Sequence, residues 1–178
     1  MLRLLKFFRA QPGLDKLVVT SFAPECGVRE TVQIEGRATI TGDDYMSGRL
    51  WPNAVCYSFY PIDVHTDDGL DYRPLPRGIV ATIPFRALLP REGRQILAAG
   101  RCIAGDRLAF SANRVQASCM AMGQAAGTAA ALAVHSKCDV AAVDLTALRT
   151  ALADHGAIVP GISAWELGTP VCAPTPAG

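Results

Sequence analysis

The chain has 178 residues, 50% hydrophobic and 19% charged, with 17 Lys and Arg against 16 Asp and Glu and a formal net charge of +1. That length supports one domain with a substantial core rather than two large ones. A mean hydropathy of +0.22 excludes a disordered tail, and the near-neutral balance without a basic stripe argues against nucleic acid as a partner.

Residues 1–9 (MLRLLKFFR) carry a cation at every third position, which interrupts the apolar core a signal peptide needs. Leu2, Leu5 and Phe8 share one face, with Leu4 and Phe7 beside it, so residues 1–11 read as a short amphipathic helix closed by Pro12-Gly13. A membrane-surface anchor is the alternative for this segment. Residues 17–22 (LVVTSF) form a β-branched run and are expected as a strand. Residues 28–41 (VRETVQIEGRATIT) alternate imperfectly, as a bent or bulged strand pair would, with Gly36 at the bend. Gly42-Asp43-Asp44 then opens a turn or short helix.

From 51 to 90 the chain is rich in proline and aromatic residues, through YPIDVH (60–65), TDDG (66–69), RPLPRG (73–78) and IVATIPFRALLP (79–90). Proline confines such strands to edges or starts, so an antiparallel layer with long, ligand-facing connections is expected. Residues 95–100 (QILAAG) read as a short buried strand, followed by a loop that carries Arg114. Next comes an uncharged segment, 115–136, with Gly123, Gly127 and many alanines. Its length permits a membrane span, but Gln116, Ser118, Gln124 and Thr128 recur through it, which favours a buried helix in a soluble protein. So thin a helix surface predicts that something packs close to its backbone. A last helix is expected over 145–155, with Asp144 as N-cap and Gly156 as stop, then a loose tail from 160 to 178.

Six cysteines, at 26, 56, 102, 119, 138 and 172, form no CxxC pair and lack the metal spacing in which thiolates and histidines converge. They are expected to be reduced and mostly buried, with no metal and a cytoplasmic location. Asp63 and His65 lie two apart, on one face of an extended segment, and fit an acid/base pair because histidine titrates near neutrality and a carboxylate orients it. The alternative is a turn cap and a structural histidine. Arg29 and Arg86 are expected as buried or half-buried arginines with carboxylate partners.

The order of motifs, ILAAG, RCIAGD, Arg114 and then CMAMGQAAGTAAALA, resembles the C-terminal part of the FAD-dependent oxidoreductases, as do GVRET (27–31), YPIDVH, IPFRALLP and DLTALRTALADHGA (144–157). The resemblance covers roughly residues 22 to 157. It implies an α/β flavoprotein fold, α+β in this portion, in which a buried strand and the small-residue helix close the flavin site beside an antiparallel substrate-side layer. By that resemblance residues 1–94 belong to the substrate or cap region, 95–158 to the flavin-closing segment and 159–178 to a tail.

It further implies FAD as cofactor, with Gly100 and Arg101 approaching the ribityl-phosphate and Ser118, Cys119 and Met120 under the electron-rich edge of the flavin ring. There the end of a helix stabilises the negative charge left by hydride arrival. Arg114, His65 and Asp63 are the implied substrate-side residues for an unidentified small molecule; for Arg114 a structural ion pair is the alternative. The chain departs from the pattern at Ala112, where a serine is expected, at Val32-Gln33, where arginines are, and at Arg101, where many flavoproteins carry an acid.

No GxGxxG turn, the ADP grip of a dinucleotide fold, occurs in the 178 residues. The expectation is therefore the C-terminal portion of a flavoenzyme, as a truncated reading frame, a fragment or one half of a split protein whose dinucleotide-binding half is a separate chain, with self-association through the apolar surface left uncovered. The competing expectations are a non-catalytic fragment or binding module and, less favoured, a membrane helix pairing through its Gly123–Gly127 face.

Overall fold

The structure, a computed structural model, describes residues 2–25, 27–30, 32–66 and 68–161. Helix α1 (Leu2–Arg9) has the amphipathic pattern expected of it, yet none of its residues is buried. Arg9 Nε donates to Leu17 O at 2.7 Å, tying the helix to the chain that returns past Gly13. Residues 17–22 are not a strand. Val18 and Phe22 are 67% and 60% exposed, and no described segment pairs with them; a β-branched run becomes a strand only where a neighbour supplies ladder bonds and a surface to pack on.

Among the described residues the expected strand pair over 28–41 is reduced to two isolated bridges, Gly36 with Pro90 and Ile40 with Gly105. Gly36 sits at a close approach: a Cβ there would stand 2.5 Å from the Ala104 Cβ. Helix α2 (Gly42–Met46) starts on a capping box, in which Asp44 N–H donates to Thr41 Oγ1 and Thr41 N–H to Asp44 Oδ2, both at 3.1 Å.

The antiparallel layer exists as two separate ribbons. Strand β1 (Ala54–Ser58) pairs with β4 (Ala81–Pro84) across a register shift, and β2 (Ile62–Thr66) pairs with β3 (Gly69–Arg73). The first ribbon is almost wholly buried. In β2, alternate residues Ile62 and Val64 face the core, leaving Asp63 and His65 on the other side.

Residues 95–100, expected as a buried strand, are irregular: Gln95 is left-handed (φ 56), Ile96 is 54% exposed, and within the segment only Ala98 is buried, its N–H bonded to Leu88 O. Apolar composition without a partner strand does not make a ladder. Conversely, the expected loop before Arg114 is helix α3 (Arg107–Asn113), capped by Asp106, whose Oδ1 accepts from Ala109 N–H and Oδ2 from Gly42 N–H at 2.8 Å each.

Helix α4 (Gln116–Ser136) ends on a left-handed Lys137, and α5 (Leu145–Asp154) has the expected Asp144 cap, with Gly156 at φ +79 just beyond it. The two pack together, and α4 also lies on β1. The core is one cluster that includes Ile40, Ile62, Ile83, Phe85, Met122, Leu148 and Leu152. α4 is long and apolar enough to cross a membrane, and it is buried along one face only, at Ser118, Met122, Ala125, Ala129 and Ala133. The chain's own close packing falls on the alanines of α4 rather than on its glycines: no described atom outside the helix lies within 4 Å of a Cβ built on Gly123 or Gly127. Cys56 is buried, Cys119 and Cys138 are half-buried and Cys102 is exposed, all as free thiols; Cys26, Cys172 and the tail beyond Gly161 lie outside the described residues. The whole is a mixed α+β arrangement of helices and antiparallel strands.

Candidate active site

Pairing with β3 holds β2 extended, which places Asp63 and His65 side by side. His65 Nε2 lies 3.5 Å from Asp63 Oδ1 and 3.3 Å from Arg29 Nη1. The two neighbours make opposite demands on one nitrogen: Arg29 donates and needs it bare, whereas Asp63 pairs with it when it carries a proton. Asp63 Oδ1 is buried without a hydrogen-bond partner among the described residues, while the Asp63 backbone N–H donates to Ser111 Oγ at 3.1 Å.

Arg114 closes α3 immediately before α4. Its side chain is 11% exposed, donates from Nη2 to Asp63 O at 3.0 Å, and lies 3.8 Å from Glu30 Oε2. The guanidinium also sits 5.9 Å from the centre of the Phe110 ring. It therefore stands between two adjoining clefts, one of about 370 Å³ shared with Arg29, Glu30 and His65, and one of about 230 Å³ shared with Arg29, Tyr60, Asp63, Arg101 and Ser111. Asp63, His65 and Arg114, distant in sequence, converge here.

Arg29, expected from the sequence as a buried or half-buried arginine with a carboxylate partner, lines both clefts instead. It is exposed, with His65 rather than a carboxylate as its neighbour, and Arg86 is exposed as well. Arg29 sits in the GVRET motif, but no periodicity places it at the site; the course of residues 27–30 beside β2 brings it in.

The second group of predicted residues is divided. Gly100 adopts φ +81, and a Cβ there would lie 3.8 Å from Cys119 Sγ, so the 100 loop abuts the first turns of α4. Arg101 Nη1 donates to Val28 O at 2.5 Å and lines the smaller cleft, which links this group to the first. α4 starts at Gln116, two residues before Ser118. Ser118 points inward: its Oγ lies 3.0 Å from Ser58 Oγ, which is 3.2 Å from Tyr45 Oη, and Tyr45 donates to Tyr60 O at 2.8 Å. Burial pushes the Cys119 thiol up, with nearby Arg101 acting in the opposite direction. Met120 is 74% exposed.

Two observations fit the electron-rich edge of a flavin. No side chain caps α4 at Val115, so the first N–H groups of a 21-residue helix lack the partner a capping residue supplies. Arg101 supplies a cation beside Gly100, whereas the buried Asn113 Oδ1, unpartnered among the described residues, is an acceptor and calls for a donor instead. The Ser118 hydroxyl, engaged in the core, does not belong to that donor set. Among the described residues no group of three metal-ligating side chains occurs, so the Asp63 and His65 pair has no third ligand.

No curated protein and no solved structure matches the chain. Residues 1–152 match a protein family described as FAD dependent oxidoreductase, and with most of its length inside that match the chain belongs to the FAD-dependent oxidoreductase family.

Proposed function

We propose that this chain forms the flavin-edge and substrate-facing side of an FAD-dependent oxidoreductase that moves a hydride between a small-molecule substrate and the flavin. The convergence of Asp63, His65 and Arg114 on clefts that Arg101 joins to the start of α4 carries this reading. FAD, when bound, supplies the two-electron carrier. The N–H groups opening α4, together with Arg101 and the close backbone at Gly100, hold its electron-rich edge. Preorganised donors of this kind stabilise developing negative charge without rearranging.

On the substrate side, Arg114 is locked by Asp63 O and Glu30 and orients a polar group of the substrate. His65 Nε2 exchanges a proton with the substrate. Asp63 Oδ1 at 3.5 Å and Arg29 Nη1 at 3.3 Å flank that nitrogen and hold the ring at the cleft. Gripping the ADP half of FAD takes a dinucleotide fold, whose GxGxxG turn is not among these 178 residues. A cytoplasmic setting suits the four described cysteines as free thiols.

A second reading, a non-catalytic binding module, is favoured by one observation: Ser118 spends its hydroxyl inside the core. Flavin titration of the purified chain, followed by fluorescence quenching, separates the two. Quenching by FAD that grows tighter when a dinucleotide-fold partner is added supports the oxidoreductase, and Arg101→Gln then weakens it. Absence of quenching with and without that partner leaves the binding module.

A further inference from the structure

The smaller cleft holds more positive charge than its walls neutralise. Arg29, Arg101 and Arg114 line it against a single carboxylate, Asp63. Arg114 has Glu30 as a partner. Arg29 and Arg101 have none: among the described residues their hydrogen bonds run to His65 Nε2 and Val28 O. The hydroxyl of Tyr60, on the same cleft wall, also lacks a partner among the described residues, since the bonds at Tyr60 are made by its backbone. Cations gathered in a concave site focus potential and attract an anion, and planar guanidinium forks match a planar oxyanion in particular.

We infer that the cleft bounded by Arg29, Arg101, Arg114 and Tyr60 binds the carboxylate group of a small organic acid. This inference deepens the proposed function by giving the substrate an acidic class. It gives Arg101, set beside the electron-rich edge of the flavin, a second contact on the substrate side, and it adds Arg29 as a ligand. Two sources of oxyanion are chemically open, a substrate carboxylate and the diphosphate of FAD. Asp63 in the wall weighs against the second, because its negative charge sits less well beside a polyanion than beside a single charge. The place beside the Asp63 and His65 pair also puts the bound carboxylate next to the groups that handle a proton.

The test uses the full chain labelled with nitrogen-15, without flavin, so that failure here and failure of flavin binding are separate results. Acetate is titrated while the side-chain Nε–H signals of the arginines are followed. The expected result is a saturable shift confined to Arg29, Arg101 and Arg114. Arg29→Gln weakens acetate roughly tenfold, as loss of a charge-assisted bond would, and Arg29→Lys, which keeps the charge but not the fork, falls between. Arg77→Gln, on an exposed loop away from the cleft, changes nothing. Arg29 is exposed, so its variants leave the core intact. The inference is overturned if acetate moves no signal, if Arg29→Gln binds as tightly as the parent, or if pyrophosphate displaces acetate and binds far more tightly, which would assign the cleft to the cofactor.

Discussion

The two faces of α4 have nearly the same composition and opposite fates. On one side Met122, Ala125, Ala129 and Ala133 are packed against β1 and α5; on the other Met120 is 74% and Val134 79% exposed, with Gly123, Gly127 and Ala130 between them at helical spacing. Small size alone does not make a residue a packing residue. On the inner face an alanine fixes how near the neighbouring strand and helix come. On the outer face a glycine costs helix stability and meets nothing among the described residues.

Substitutions taken in pairs break or sharpen that contrast. Met122→Ala should lose about 2–5 kcal/mol of unfolding free energy, the usual cost of a large core truncation, whereas Met120→Ala should stay within about 0.5 kcal/mol; denaturant midpoints read both. Ala129→Leu should overpack and cost about 1–3 kcal/mol, while Ala130→Leu, one position on and exposed, should cost nothing measurable. Gly127→Ala should stabilise by about 0.5–1 kcal/mol through helix propensity alone, and a loss instead would mean that the outer face is covered in solution. Met120→Lys combined with Val134→Lys should shift light scattering toward the single chain if that face pairs two copies, and leave it unchanged if the face stays in water.

The smallest effect lies away from α4. Burial alone would raise the Asp44 carboxyl, but Arg49 and the Thr41 cap outweigh it and hold Asp44 below its ordinary 3.8. Its contribution is therefore complete above that value and is lost as the pH falls through the lower folded-state value. Asp44→Asn should flatten that part of an acid titration followed by circular dichroism, without touching the difference between the two faces.

Where a local signal was sufficient, the chain was legible before folding. Asp144 and Gly156 bracket α5, and the alternation in YPIDVH put Asp63 and His65 together. Signals that depend on a partner misled: LVVTSF and ILAAG have strand composition but no strand to pair with among the described residues. α3 was missed although its signal was present, since Asp106 precedes RLAFSAN and its carboxylate reaches Ala109 N–H. At the site, motif order located Arg114, but Arg29 depends on how residues 27–30 run past β2, a long-range matter on which periodicity is silent.

The hydroxyl chain from Tyr45 through Ser58 to Ser118 has a consequence for compliance. It joins α2, β1 and the first turn of α4 inside the core, so the helix end nearest the candidate site is held like a beam clamped at its base. Thermal bending of α4 is then taken up toward Lys137, where a side-chain residue already holds a left-handed turn. The amides around Ser118 should be among the last in the helix to exchange with solvent, and those near Ser136 among the first.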